Sequence, residues 1–352
     1  MSKWVREGRR AAADDGGTVA AAARLAIPLG QGEALADWVR RARRRLLPHA
    51  VVVEGQGGSG KTTVLQWLSA ALLCPSDLDA DMPCGVCRTC SRIAGDRHPD
   101  VHVVARARDE ADRKEHKRSF YVIGIDQVRQ AQERLAQSAV EGPARVLVVS
   151  DADCMTEEAQ NALLKTLEEP GQDAFLLLEA ARPELLLPTV RSRVQRLRLL
   201  PLADQVLRGE LAKRIPQRER WFDAALAVAH GCLGAALRAS TEQAVQLHDL
   251  VRQVLDGSNR LGPLATARAV LAGHAERHLQ VEAAETFLWL LRGELRAQCS
   301  ALAASATPAY PAAVAEPWTT WLELTLAAER DLEILIPPEQ ALTALLVSFA
   351  GR

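Results

Sequence analysis

Charge of one sign is missing from this sequence: 43 basic side chains face 44 acidic ones, so no global field would draw the chain onto nucleic acid or an anionic membrane. Any contact with DNA would have to be local or shared with other chains. Long apolar runs are missing too. None approaches a membrane span, and the N-terminal stretch has Arg, Asp and Gly where a signal peptide needs an apolar core. These absences predict a cytoplasmic protein with no membrane partner. No internal repeat is visible. Seven cysteines, four of them crowded between Cys74 and Cys90, fit a metal site in a reducing compartment better than a disulfide framework. What is present is a chain of 352 residues with enough apolar content for two or three buried cores.

The most informative stretch is Val51 to Thr63, a β-branched apolar run that breaks into a glycine-rich turn and then a helical pattern. Within it, Gly55-Gln56-Gly57-Gly58-Ser59-Gly60-Lys61-Thr62 satisfies G-x-x-x-x-G-K-[ST], the phosphate-binding loop of nucleoside triphosphatases. The glycines allow backbone angles closed to other residues, so successive N–H groups can turn inward around phosphate oxygens at a helix N-terminus. Lys61 can then reach the β- and γ-phosphates, and the Thr62 hydroxyl can ligate Mg²⁺. The candidate nucleotide-binding set is Gly55, Gly57, Gly58, Ser59, Gly60, Lys61, Thr62 and Thr63, with ATP and Mg²⁺ as the cofactors it admits.

Past the helix that this loop opens comes Cys84-Gly85-Val86-Cys87-Arg88-Thr89-Cys90, with Cys74 upstream. Cys-x-x-Cys spacing lets two thiolates face one tetrahedral ion, and Cys74 supplies a fourth ligand that closes a structural site with no open position. Four sulfurs favour zinc, with an iron–sulfur cluster as the competitor. Cys154, Cys232 and Cys299 stand alone and read as core.

Residues 1–27 lack a sustained period and read as a poorly ordered extension. A helix is predicted over Glu33 to Leu47, ending in Arg40, Arg41, Arg43, Arg44 and Arg45. That cluster reads either as a solvated helix end favoured by the helix dipole or as a patch touching DNA phosphate. Strands are predicted over Tyr121 to Ile125, Arg145 to Val149 and Phe175 to Leu178, with Asp126 capping one helix and Thr156 to Ala159 opening another. Strands alternating with helices behind a phosphate loop imply a parallel sheet. From Pro201 onward strand-like runs disappear, which predicts a small helical domain over 201–240 and an all-helical domain over 241–352. Trp289, Trp318 and Trp321 read as core.

The stretch from Met155 to Pro170, MTEEAQNALLKTLEEP, closely resembles the segment shared by bacterial clamp-loader subunits of the AAA+ class. Leu47-Pro48-His49-Ala50, the four-cysteine insertion, His98-Pro99-Asp100 and Ile125-Asp126-Gln127-Val128-Arg129 also resemble this family. The likeness is strong over about residues 29–200. It implies an α/β AAA+ phosphate-loop domain over 28–200 with an embedded zinc module at 74–90, followed by a helical lid over 201–240 and a collar over 241–352 that oligomerises. In motor subunits of the family the second strand ends in Asp-Glu; Ser150 and Asp151 stand there, and Ser is a poor substitute for a carboxylate near a divalent ion. The polar residue expected after the third strand is Ala180 or Ala181, and the Arg of the helical domain falls near Gly234. Turnover by this chain alone is therefore expected to be weak or absent. Ser192-Arg193 matches the family's Ser-Arg-Cys motif, which makes Arg193 an arginine finger supplied to a neighbouring subunit, with Val194 replacing the Cys. The implied partners are gamma/tau-type motor subunits, a delta subunit, a sliding clamp and primer–template DNA. Two rival readings are a hydrolysing motor that uses Asp151 in place of the acidic pair, and a nucleotide-independent zinc-bearing interaction module.

Overall fold

The computed structural model describes residues 24–76, 82–107, 119, 121–215, 221–305, 312–333 and 336–350. The chain divides into two compact units, Met1–Ala203 and Asp204–Arg352. Most of the expected N-terminal extension, residues 1–23, lies outside the described residues. Leu25, at its end, is buried, and its N–H donates to Gly85 O at 3.1 Å.

The first unit contains α1 (Gly32–Arg43), β1 (Ala50–Glu54), α2 (Lys61–Leu73), α3 (Arg88–Ala94), β2 (Val101–Val104), α4 (Ile125–Ala136), β3 (Arg145–Val149), α5 (Glu157–Glu168), β4 (Ala174–Ala180), α6 (Pro188–Arg191) and β5 (Gln195–Arg198). The five strands form one parallel sheet in the order β2-β3-β4-β1-β5. Alternation along each strand splits the core into two layers. Val51, Val53, Val146, Val148, Phe175 and Leu177 face α1 and α2 through Leu35, Val39, Val64, Leu65 and Leu68. Val52, Leu147, Val149, Leu176 and Leu178 meet Val128, Leu135, Leu163 and Leu167 from α4 and α5 on the other side.

Three expectations need correction. Tyr121 to Ile125 is not a strand: β2 already fills the place beside β3, and Ile123 makes a single parallel bridge to Met155. Asp126 is not the cap of α4, because Gly124 precedes the helix and its N–H donates to Gln127 Oε1 at 3.1 Å. The helix predicted to Leu47 stops at Arg43, and its arginines are largely engaged within the chain. Arg43 is buried and donates to Cys74 O and Ser76 O, each at 2.8 Å, while Arg41 pairs with Asp37 and Arg45 with Asp173.

The second unit is helical throughout its described residues: α7 (Asp204–Ala212), α8 (Phe222–Ala229), α9 (Leu233–Ala239), α10 (Glu242–Leu255), α11 (Pro263–Leu271), α12 (Arg277–Ser305), α13 (Ala312–Glu333) and α14 (Pro338–Ala350). A Cβ at Gly293 would come within 2.9 Å of the Val228 side chain, so the glycine is what lets α12 and α8 approach so closely.

Candidate functional site

The phosphate loop runs from the end of β1 into α2, at the C-terminal edge of a parallel sheet where α/β folds bind ligands. Gly58 and Gly60 have φ of 84° and 92°, the left-handed region that only glycine enters freely, and Gly60 directly precedes Lys61. A Cβ at Gly55 would meet Ser59 Oγ at 2.7 Å, so that position needs glycine for space. Ser59 Oγ is buried and has no hydrogen-bond partner among the described residues. A glycine-shaped cradle with an orphaned hydroxyl fits a phosphate group. Lys61 is buried; its Nζ donates to Gly55 O at 2.9 Å and Gln56 O at 3.1 Å. Lys61 begins α2, and Thr62 and Thr63 follow it in the first turn.

Sequence reasoning passed over one side chain here. Glu179, near the end of β4, is buried, accepts a hydrogen bond from Thr62 Oγ1 at 3.0 Å and lies 3.9 Å from Lys61 Nζ. Burial holds its carboxyl above the usual range, with Lys61 and Thr62 acting in the opposite direction. The available signal was a lone carboxylate directly after the apolar run Phe175-Leu176-Leu177-Leu178. Asp151 lies just past β3 in the left-handed region, with φ 54°. Burial would raise its pKa, yet the Arg106 guanidinium at 3.3 Å and the more distant Lys61 hold it below the ordinary aspartate value. Its charge is therefore balanced chiefly by Arg106, another residue the sequence did not single out. Ala180 is buried, and the N–H groups of Ala181 and Arg182 donate to Asp153 Oδ2 at 3.2 and 2.9 Å.

At the opposite end of α2 the four cysteine sulfurs lie within 4.8 Å of one another. Cys74 Sγ is 3.6 Å from Cys84 Sγ and 3.8 Å from Cys87 Sγ, and Cys84 Sγ is 4.0 Å from Cys90 Sγ. These spacings match the edge of a tetrahedron with metal–sulfur bonds of about 2.3 Å, which is about 3.8 Å long. They are too long for disulfides, and all four thiols are free. The residues therefore fit one metal ion. Burial pushes the Cys74 thiol up, but hydrogen bonds with Ser76 and Cys84 outweigh it and bring the pKa down to about 6. Burial drives the Cys90 thiol above its usual range. Cys87 N–H donates to Cys84 Sγ and Cys90 N–H to Cys87 Sγ, a turn that aims successive thiols at one point. Of the other cysteines, Cys232 is buried, whereas Cys154 and Cys299 are half-buried.

Ser192-Arg193 links α6 to β5. Arg193 is partly exposed and pairs with Glu168 at the end of α5, 2.7 Å away, and it also donates to Thr189 O. The MTEEAQNALLKTLEEP stretch supports this corner from beneath. Buried Gln160 donates to Met155 O and Leu185 O and accepts from Leu187 N at 2.7 Å, which fixes the turn leading into α6. His49 Nε2 reaches Leu167 O at 2.8 Å, and the Asp100 carboxylate accepts from the N–H groups of Val140, Glu141 and Gly142.

A family model described as DNA polymerase III, delta subunit, matches residues 30–203. The Pseudomonas aeruginosa protein DNA polymerase III subunit delta' is 33% identical over 234 residues, covering 65% of this chain and 68% of that one. The chain belongs to the DNA polymerase III subunit delta' family. The delta prime relative of Escherichia coli is 34% identical over 189 residues, covering 54% of this chain and 53% of its own length. The chain thus spans about half the length of that curated relative. Among solved structures, a gamma-subunit-related DNA polymerase III protein of Thermotoga maritima superposes with a TM-score of 0.47 at 18% identity, covering 92% of this chain and 99% of that one. The family-model match ends at the boundary between the two compact units, and the phosphate loop, the cysteine cluster and Arg193 all lie within it.

Proposed function

We propose that this chain is a clamp-loader subunit of the delta prime type, which completes a neighbour's ATP site and contributes little hydrolysis of its own. The observation that carries the reading is at the tip of β3. Ser150 offers no carboxylate there, and Asp151, whose backbone sits in the left-handed region, has its carboxylate bound to Arg106. A group held in that pair is poorly placed to orient an attacking water, and phosphoryl transfer depends almost wholly on such positioning. Membership of the delta prime family supports the assembly: an AAA+ first unit, a lid over 201–240, a collar over 241–352, and partners that include gamma/tau motors, a delta subunit, a sliding clamp and primer–template DNA. The cysteine cluster holds one structural zinc in this reading. Its sulfur spacing suits a single ion better than an iron–sulfur cluster, whose ligands are spread over several irons.

Arg193 is the finger supplied in trans, and its pairing with Glu168 is an exposed contact that a phosphate can displace at small cost. The test is a reconstituted loader turning over ATP on primed DNA. With Arg193→Ala, turnover at the site it serves should fall about 10³-fold. Unchanged ATP turnover and clamp loading would refute the assignment.

A further inference from the structure

The carboxylate that Ser150 does not supply after β3 has a counterpart one strand away. β3 and β4 pair in register with Val149 opposite Leu178, so Ser150 and Glu179 are the next residues along each strand. Val148 and Leu177 both face the α2 layer, and the two-residue alternation carries Ser150 and Glu179 to that same face. Ser150 and Thr62 line a common small pocket of about 20 Å³ with Gln66, Ser69 and Asp96. Glu179 opposes Val53 of β1, one residue before that strand ends at the phosphate loop. From there its two oxygens reach both polar side chains of the loop's end: Oε2 accepts the Thr62 hydroxyl proton at 3.0 Å, and Oε1 lies 3.9 Å from the Lys61 ammonium.

We propose that Glu179 is the Mg²⁺-organising carboxylate of this chain's nucleotide site, displaced from β3 to β4. The chemistry fits. A Thr hydroxyl that gives its proton to a carboxylate keeps its lone pairs for a divalent ion, and a carboxylate beside it supplies the hard, negative oxygen that Mg²⁺ or one of its waters requires. A carboxylate buried among valines and leucines is costly unless partners stabilise it, and here the partners are the two residues that define the loop. Binding and hydrolysis are separated as a result: Glu179 serves the metal, while Asp151, just past β3, is bound to Arg106. The inference rests on reading the loop as a nucleotide site. It concerns this chain's own site, whereas Arg193 concerns a neighbour's, so either assignment can fail alone.

The experiment is an equilibrium titration of the purified full chain with a fluorescent ATP analogue, in Mg²⁺ and in EDTA. Wild type should bind at least about tenfold more tightly with Mg²⁺ than without it. Glu179→Gln should bind alike in both conditions, and Ser150→Asp combined with Glu179→Gln should regain the Mg²⁺ preference by returning a carboxylate to β3. A Glu179→Gln protein that keeps the preference overturns the proposal. So does one that binds tighter in both conditions, since Glu179 would then be excluding nucleotide. Wild type that binds no analogue, or binds equally in EDTA, overturns it without recourse to any variant that might fail to fold.

Discussion

At the C-terminal end of α2 all four sulfurs come from the short stretch Cys74 to Cys90, whereas at its N-terminal end Thr62 meets Glu179, 117 residues further along the chain. The first site is local and closed: four ligands face one another and leave no position for substrate. The second is open and assembled, because its glycines come from one loop and its carboxylates from the ends of two other strands. A local site can be read from spacing, while an assembled one depends on sheet register. The same difference governs how each should fail.

The largest effect belongs to the closed end. Cys90 is fully buried, and Cys90→Ser should take zinc from about one per chain to near none. Melting should fall steeply, by part of the about 10–16 kcal/mol that zinc supplies to isolated zinc-finger peptides. Metal analysis with circular dichroism checks this, and full metal content with unchanged melting would break the contrast. Arg43→Ala comes next. It orphans the Cys74 and Ser76 carbonyls that deliver the first ligand, for about 2–4 kcal/mol in denaturant unfolding.

Asp100 also lies toward the cysteine end of α2, where Gly142 packs beside Leu73; it braces the turn that enters β3, and Asp100→Asn should cost about 1–3 kcal/mol. Burial alone would raise the Asp100 pKa, but three backbone N–H donors hold it below the usual aspartate value of 3.8. A depressed folded-state pKa means that this contribution is fully present above the unfolded value and is lost as pH falls below it through the folded one. The stability gap between wild type and Asp100→Asn should therefore be full at neutral pH and narrow as unfolding is measured at successively lower pH below the ordinary aspartate value. The smallest stability effect is Arg193→Ala, under about 1 kcal/mol for an exposed ion pair. A loss of loader turnover in that variant could not then be assigned to unfolding.

Legibility followed the same division. The phosphate loop, Arg145–Val149 and the start of α5 at Thr156 stood out because each is specified by neighbours in sequence: glycines before a helix, a continuous apolar run, and a hydroxyl that accepts from Ala159 N at 3.2 Å. The two outer strands did not. Val101–Val104 is short and only partly buried, and Gln195–Arg198 exposes three of its four side chains, so neither has the apolar signature of a central strand. Tyr121 to Ile125 had that signature, but it is tied by a single bridge from Ile123 to Met155, outside the sheet. Glu179 was visible as a residue but not as part of the site, because only the pairing of β4 with β1 brings it to Thr62. Arg43 looked like one more solvated charge until α1 was packed onto the chain leaving α2.

The polar outer strand bears on the protein's behaviour at high concentration. A parallel sheet that ends in an apolar edge invites a second molecule to extend it. Beside β1 this sheet ends in β5, four residues long, with Gln195, Arg196 and Arg198 exposed. Arg196 is held in a two-pronged grip on Glu54 of the next strand, at 2.6 and 2.8 Å. A strand from another copy arriving at that margin would meet guanidinium groups in place of apolar side chains. Self-propagating β-association is thereby discouraged along the flank that Arg193 introduces.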